Sequence, residues 1–239
     1  MLTPCVFPDH ERASQFAADW LVEHLLHEPH SVICLATGAT PMRAYALFAE
    51  RAANEPSLVD RCRLVKLDEW GGLPMNDPAT CEQHLRNTLV TPLRMADRYI
   101  GFESQPANGE AECARVAKWL DENGPIDLCV LGLGLNGHVG FNEPAAFLQP
   151  HAHIAQLSDE SLAHAMLNNC DRRPKYGLTL GMADLLQARH ILMIVTGAAK
   201  RGPLERLISG RITTEFPASL VQLHGDARLV CDAAAMGTC

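Results

Sequence analysis

Apolar positions along the chain follow two alternating rhythms. Residues 11–27 place Phe16, Ala17, Trp20, Leu21 and Leu25 three and four apart, which predicts an amphipathic helix. Residues 31–36 follow as a short apolar run, the pattern of a strand buried on both faces. A second helix is predicted through Tyr45, Leu47 and Phe48, then a strand over 63–67. A helix over 110–121 carries Cys113, Val116, Ala117 and Leu120. Strands are predicted over 127–131 and His190–Val195, and a last short one over 229–231. Such alternation predicts an α/β fold. The right-handed crossover rule makes its sheet doubly wound and mostly parallel, with helices on both faces in three Rossmann-like layers. No repeat, low-complexity stretch or Pro-, Gly- or Ser-rich linker interrupts residues 1–239, which read as a single domain.

Ligands of such sheets sit where the carboxyl ends of strands meet helix N-termini. That directs attention to residues 37–41, 68–72, 132–144 and 196–200. In Thr37-Gly38-Ala39-Thr40-Pro41, Thr40 is expected as the N-cap and Pro41 as the first helical residue. Gly38 lets the backbone approach a ligand, and the free amides suit an anion. An ordinary strand-to-helix turn would use the same residues. Thr196-Gly197-Ala198-Ala199-Lys200 repeats the plan and adds one of only four lysines. A cation in the first turn of a helix opposes the macrodipole, a conflict that a bound phosphate would remove.

Gly132-Leu133-Gly134-Leu135-Asn136-Gly137 spells G-x-G-x-x-G, but a dinucleotide site requires a helix to start there. The following His138-Val139-Gly140-Phe141-Asn142-Glu143-Pro144 has no amphipathic period, and its proline falls where a second turn would be. A histidine in such a loop can move protons near neutral pH, and Glu143 can hydrogen-bond its ring. A capping histidine beside a solvated glutamate is the plainer alternative. Asp68, at the end of the 63–67 strand, is either a loop cap or a base acting on a carbon acid. Burial beside Trp70 would raise its pKa to a useful range. His151 and His153 form an H-x-H pair without a supporting ligand set, so no metal is expected.

Composition narrows the partners. With 47% hydrophobic and 20% charged residues the chain has ample core for a globular fold. Lys+Arg is 20 against Asp+Glu 28, a net charge of −8, which argues against nucleic acid but leaves room for one local basic pocket. No apolar run is long enough to span a membrane, and residues 1–10 lack the apolar core of a signal peptide. The nine cysteines are scattered, odd in number and without a C-x-x-C pair. Cys34, Cys129 and Cys231 sit in apolar runs as small hydrophobes. A reducing cytoplasm, without disulfides or structural zinc, is the expectation.

Taken in order, LATGATP, VKLDEWGGLP, DLCVLGLGLNGHVGFNEP, YGLTLGMADLL, TGAAK and FPASLVQLH resemble the successive signatures of glucosamine-6-phosphate deaminases/isomerases. The resemblance runs from Ser31 to Asp232, and GHVGFNEP is its most specific piece. In the related 6-phosphogluconolactonases the glycine–histidine is similar but Asn-Glu-Pro is replaced; here Asn142-Glu143-Pro144 is intact. CLATGATP, VKLDEW, Asn136, LQP at 148–150 and HIAQL at 153–157 look like the galactosamine-6-phosphate branch.

The resemblance implies aldose–ketose isomerisation and deamination of an amino-sugar 6-phosphate, with the galactosamine epimer preferred and glucosamine next. His138 would open the ring, Glu143 would orient His138, and Asp68 would carry a proton between C2 and C1. Thr37, Gly38, Ala39, Thr40, Gly137 and Lys200 would hold substrate and phosphate. No metal or organic cofactor is implied, and a homo-oligomer is left open because relatives include monomers and hexamers. The alternatives are a lactone hydrolase of the 6-phosphogluconolactonase type and a sugar-phosphate sensor without chemistry.

Three departures stand out. The usual Asp-Gly-His is Asn136-Gly137-His138, so the tuning of His138 by a carboxylate falls to Glu143. A phosphate-binding arginine about 24 residues after the Asn-Glu-Pro glutamate is replaced by Leu167, with Arg172, Arg173 and His164 as the candidates to compensate. The basic positions of an effector site are His153 and Ala155, so no allosteric activation by an N-acetyl amino-sugar phosphate is expected.

Overall fold

Seven short parallel strands form the main sheet of the computed structural model, which describes residues 2–168, 170 and 172–238. In spatial order they are β1 (Pro4–Phe7), β10 (Ala227–Asp232), β9 (His190–Val195), β6 (Leu128–Leu131), β2 (Val32–Leu35), β3 (Arg63–Lys66) and β5 (Tyr99–Ile100). Side chains alternate between two apolar layers, as the period of two in a strand requires. On β2, Val32 and Cys34 face one layer and Ile33 and Leu35 the other; on β9, Ile191 and Met193 oppose Leu192 and Ile194. Helices α1 (His10–His27) and α2 (Ala39–Asn54) cover one face through Ala17, Leu21, Tyr45 and Phe48. On the other lie α4 (Gly109–Asn123), α6 (Met182–Leu186), α7 (Arg201–Ile208) and α8 (Ala233–Met236), packing through Val116, Leu185, Leu204 and Ala235.

The doubly wound, mostly parallel sheet expected from the sequence is therefore present. The last strand is longer than expected, covering Ala227–Asp232. The edge strand β1 was not anticipated, because Cys5 and Val6 of Pro-Cys-Val-Phe are exposed there and no buried pattern marks it. Cys34 and Cys129 face each other in register as buried thiols on neighbouring strands.

A second, antiparallel sheet departs from the loop expected at 68–72. It comprises β4 (Asp68–Gly71), β8 (Tyr176–Thr179) and β7 (His153–Ala155), with Asp68 opposite Thr179. Leu67 joins the two sheets: its N–H donates to Leu35 of the main sheet, and its carbonyl accepts from the N–H of Leu180 just beyond β8. Asp68 therefore starts β4 at the junction of the sheets, fixed from both sides. Beneath β4 a smaller apolar cluster gathers Trp70, Leu73, Phe141 and Leu167.

Strand order also fixes where a ligand enters. From β2 the chain steps outward to β3 and β5, whereas from β6, the neighbour of β2 on the other side, it steps to β9 and β10. The loops after β2 and β6 consequently diverge, which opens a crevice at the carboxyl ends of these two strands. Among the described residues no helix is long and apolar enough to cross a membrane.

Candidate active site

A cavity of about 490 Å³ occupies that crevice. Its walls come from the loop after β2 (Thr37, Gly38, Ala39 and Thr40), the loop after β6 (Gly132, Gly134 and His138), Asp68 and Trp70 of β4, Lys200, and a segment containing Ser161 and His164.

The loop after β2 ends differently from expectation. Gly38, at φ 102°, is the N-cap of α2, which starts at Ala39. Thr40 and Pro41 lie inside the first turn, so Thr40 is not the cap. Pro41 is still tolerated, because N–H groups of the first turn have no partner within the helix. No side chain caps this end, and the amides of a 16-residue helix open on the cavity. The matching loop after β9 differs. There the Gly197 N–H donates to both carboxylate oxygens of Asp232, at 3.0 Å each. An acid already occupies that site.

Lys200 is displaced too, ending a 3-10 turn (Ala198–Lys200) just before α7 instead of lying in the first turn of the helix. Its Nζ donates to the Leu133 carbonyl at 2.5 Å and, among the described residues, pairs with no carboxylate. Burial lowers its pKa. A partly buried cation that lacks a counter-charge is poised for an anion.

Asp68 is buried, and its Oδ1 has no hydrogen-bond partner among the described residues. Burial first, then the negative charge of Glu69, raises its pKa to about 7; Lys66 and a hydrogen bond from the Cys81 thiol act the other way. The cause anticipated, burial beside Trp70, is thus supplemented by a neighbouring acid. The Cys81 thiol itself, kept neutral by burial, accepts a hydrogen bond from Thr37 Oγ1 at 3.0 Å. Trp70 Nε1 is a second buried atom without a partner among the described residues.

His138 is held from behind. Its Nδ1 lies 3.4 Å from Glu143 Oε2 and 3.2 Å from Ser161 Oγ, and Ser161 donates to Glu143 Oε1. With Nδ1 as donor in this network, the free Nε2 is left for the cavity. Burial raises the Glu143 pKa, but hydrogen bonding and charge from His138, with hydrogen bonds from Ser161 and Asn136, outweigh it and hold the carboxyl at about 2. Glu143 is therefore a carboxylate at neutral pH.

Asn136 finds its place here. Its Nδ2 donates to Glu143 Oε2 at 2.9 Å, and its Oδ1 accepts the His138 N–H at 3.0 Å. Only an amide does both, since an aspartate would set a second carboxylate against Glu143. Asn136 and Glu143 contact His138 and do not line the cavity.

Gly137 does not line it either. At φ 94° it packs on Phe216, where a Cβ would come within 2.0 Å of the ring. A Cβ on Gly134 would meet the His138 ring at 2.4 Å. The glycines thus serve side-chain packing. No helix starts at 132–137, which removes the dinucleotide reading.

Of the three candidates to replace the missing arginine, His164 lies in the cavity wall, while Arg172 and Arg173 are exposed outside it and Arg173 donates to the Leu162 carbonyl. Leu167 is buried in the apolar cluster under β4. His153 and Ala155 belong to β7, away from the cavity. Among the described residues no group of His, Cys, Asp and Glu could hold a metal ion. Ser161 and Cys81 were missed from sequence. Ser158, which caps the short helix α5 (Asp159–Leu162), was the local signal for Ser161.

Known proteins resemble this chain over most of its length. A family model described as glucosamine-6-phosphate isomerases/6-phosphogluconolactonase matches residues 8–230. A protein of Escherichia coli (strain K12) named "Putative deaminase AgaI" is 42% identical over 214 residues, covering 89% of this chain and 85% of its own. Glucosamine-6-phosphate deaminase of Rhodopirellula baltica is 34% identical, with 96% and 93% covered. A solved structure of a monomeric glucosamine-6-phosphate deaminase superposes with a TM-score of 0.92 at 29% identity, over 100% of this chain and 99% of that one.

Proposed function

The chain belongs to the family of glucosamine-6-phosphate isomerases and 6-phosphogluconolactonases and is an enzyme, and from that premise we propose that it isomerises and deaminates an amino-sugar 6-phosphate. The products are a ketose 6-phosphate and ammonia. One observation carries this reading: a buried carboxylate with an unpartnered oxygen, Asp68, shares a cavity with His138 and an uncompensated cation, Lys200.

The phosphate binds at the open amides of α2, with Thr37, Gly38, Ala39, Thr40 and Lys200 around it. The sugar then extends toward His138 and Asp68. Free Nε2 of His138 takes the proton of the anomeric hydroxyl and returns it to the ring oxygen, which opens the pyranose. Glu143 and Ser161 keep the ring oriented for that exchange. Asp68 removes the C2 proton and delivers it to C1, while a proton passes from the amine nitrogen to O1, converting the aldose amine to a ketose imine. Water adds at C2 and ammonia leaves. An ordinary carboxylate is a weak base for a carbon acid; the pKa of about 7 suits Asp68 to the task.

Lactone hydrolysis needs no base at C2, so the isolated Asp68 and the ordered Glu143 argue against it. A sensor would need the phosphate loop but not the acid–base groups. Galactosamine 6-phosphate as the preferred epimer is supported by CLATGATP, VKLDEW, LQP and HIAQL. Ammonia release from both epimeric amino-sugar 6-phosphates, with lactone hydrolysis run alongside, tests all of this. Ammonia from the galactosamine epimer at the higher kcat/KM is expected; lactone hydrolysis alone, or no turnover of any of the three, would overturn the reading.

A further inference from the structure

The resemblance implies a phosphate-binding arginine where this chain has Leu167; without it, Lys200 in the cavity wall and the helix amides are left to hold a dianion. Leu167 supplies no replacement, because its side chain is buried under β4. His164 does lie in the wall, and three observations define how.

First, its Nδ1 accepts the N–H of Met166 at 3.3 Å, capping the short 3-10 turn Ala165–Leu167. An acceptor Nδ1 fixes the tautomer, so Nε2 carries the proton. Second, Nε2 is directed at the mouth of α2: a Cβ built on Gly38 would lie 3.8 Å from Nε2 and 3.7 Å from Cε1. That edge of the ring hydrogen-bonds to none of the described residues. Third, burial, then the charges of His138, Lys200 and His84, lower the His164 pKa and keep the ring neutral. A neutral donor can stand near Lys200 without repelling it, where a second permanent cation would have to be held against that charge.

We propose that His164 is a phosphate-binding residue, donating Nε2–H to the 6-phosphate of the substrate. The proposal rests on the phosphate reading of the cavity. It also makes the phosphate contact a directional hydrogen bond from a ring that α5 and the following 3-10 turn hold in place.

The two ring nitrogens have separate duties, so two variants separate them. In His164→Asn the amide oxygen can keep the Met166 cap while the cavity donor is lost. In His164→Gln the amide nitrogen reaches the Nε2 position while the cap is lost. Binding of inorganic phosphate, followed by 31P line broadening on the intact chain, needs no turnover. Removing a hydrogen bond to a charged group should weaken binding by about tenfold or more in His164→Asn. His164→Gln should bind within a few-fold of the wild type and melt at a lower temperature. The reverse order, with Gln the weaker binder, would mean that His164 only caps its turn and would overturn the proposal. Wild-type affinity in His164→Asn, with binding lost in Lys200→Met, would overturn it while leaving the phosphate reading intact. Failure of the wild type to bind phosphate would instead remove the reading on which it rests.

Discussion

Two acids one residue apart, Asp68 and Glu69, sit on opposite faces of β4 and have opposite surroundings. On the back face Glu69 is fully buried and fully partnered. One oxygen accepts from the amides of Trp70 and Cys81, at 2.8 and 3.0 Å; the other accepts from Lys66 Nζ and the Glu82 amide, at 2.6 and 2.8 Å. Lys66 in turn binds Glu82 and the Phe102 carbonyl, and Tyr99 closes the network on Glu82. On the cavity face Asp68 keeps an oxygen with no partner among the described residues. Two neighbouring buried carboxylates thus differ in how far they are satisfied: Glu69 is a strut, and Asp68 has the raised proton affinity that the proposed base needs. Burial alone does not make a reactive carboxylate; burial without a partner does.

Substitution on each face should break this contrast in its own way. Asp68→Asn, which removes the proton carrier, should lower kcat/KM for ammonia release by about 10²–10⁴-fold. It should not weaken the fold. Because the Asp68 pKa is raised on folding, its charge costs stability. That cost is absent below the ordinary carboxylate range, grows as pH rises toward about 7, and is complete above it. The variant should therefore melt higher than the wild type at pH 8 and alike at pH 3, as read by calorimetry.

Glu69→Gln should do the reverse. Leaving Lys66 with one charged partner in a dry site should cost about 3–5 kcal/mol, measured by urea unfolding, whereas the folded fraction should change in activity only through the Asp68 pKa, which loses the push of the Glu69 charge and should fall. Loss of activity in a stably folded Glu69→Gln variant would break the division of labour.

Within the cavity, Glu143→Gln tests the support behind His138. Loss of one charged hydrogen bond to the reacting ring should lower kcat/KM by about ten- to a hundredfold. Native Glu143, with its pKa lowered to about 2, contributes stability above the ordinary glutamate value of 4.5, which is lost as pH falls through about 2. Cys81→Ala should have the smallest effect. It removes the thiol hydrogen bond that lowers the Asp68 pKa, so the acid limb of the pH–kcat/KM profile should move slightly upward.

The contrast also explains what could be read from the sequence. Strands β2, β6 and β9 were legible because both their faces are buried, so they appear as unbroken apolar runs. Asp68, His138, Glu143 and Lys200 were legible because each stands at the end of such a run or within a glycine-rich loop beside one. The second sheet was not. Asp-Glu-Trp-Gly and Tyr-Gly-Leu-Thr carry neither rhythm, and they pair only across more than a hundred residues. What that sheet and the segments around it bring to the cavity was mostly hidden with it: Cys81 beside Asp68, and Ser161 from the segment between β7 and β8, whereas His164 of that segment was one of three candidates that the sequence could not choose between. The role of Asn136 was also out of reach, since it depends on which end of the amide faces Glu143.

The central claim is that burial with one oxygen left unpartnered among the described residues, reinforced by the charge of Glu69, raises the proton affinity of Asp68. It is tested most directly by following the carboxyl carbon of Asp68 through a pH titration by 13C NMR, with the Asp68→Asn spectrum identifying its resonance. A midpoint at about 7 is the predicted result. A midpoint in the ordinary aspartate range, about 4, would contradict the account.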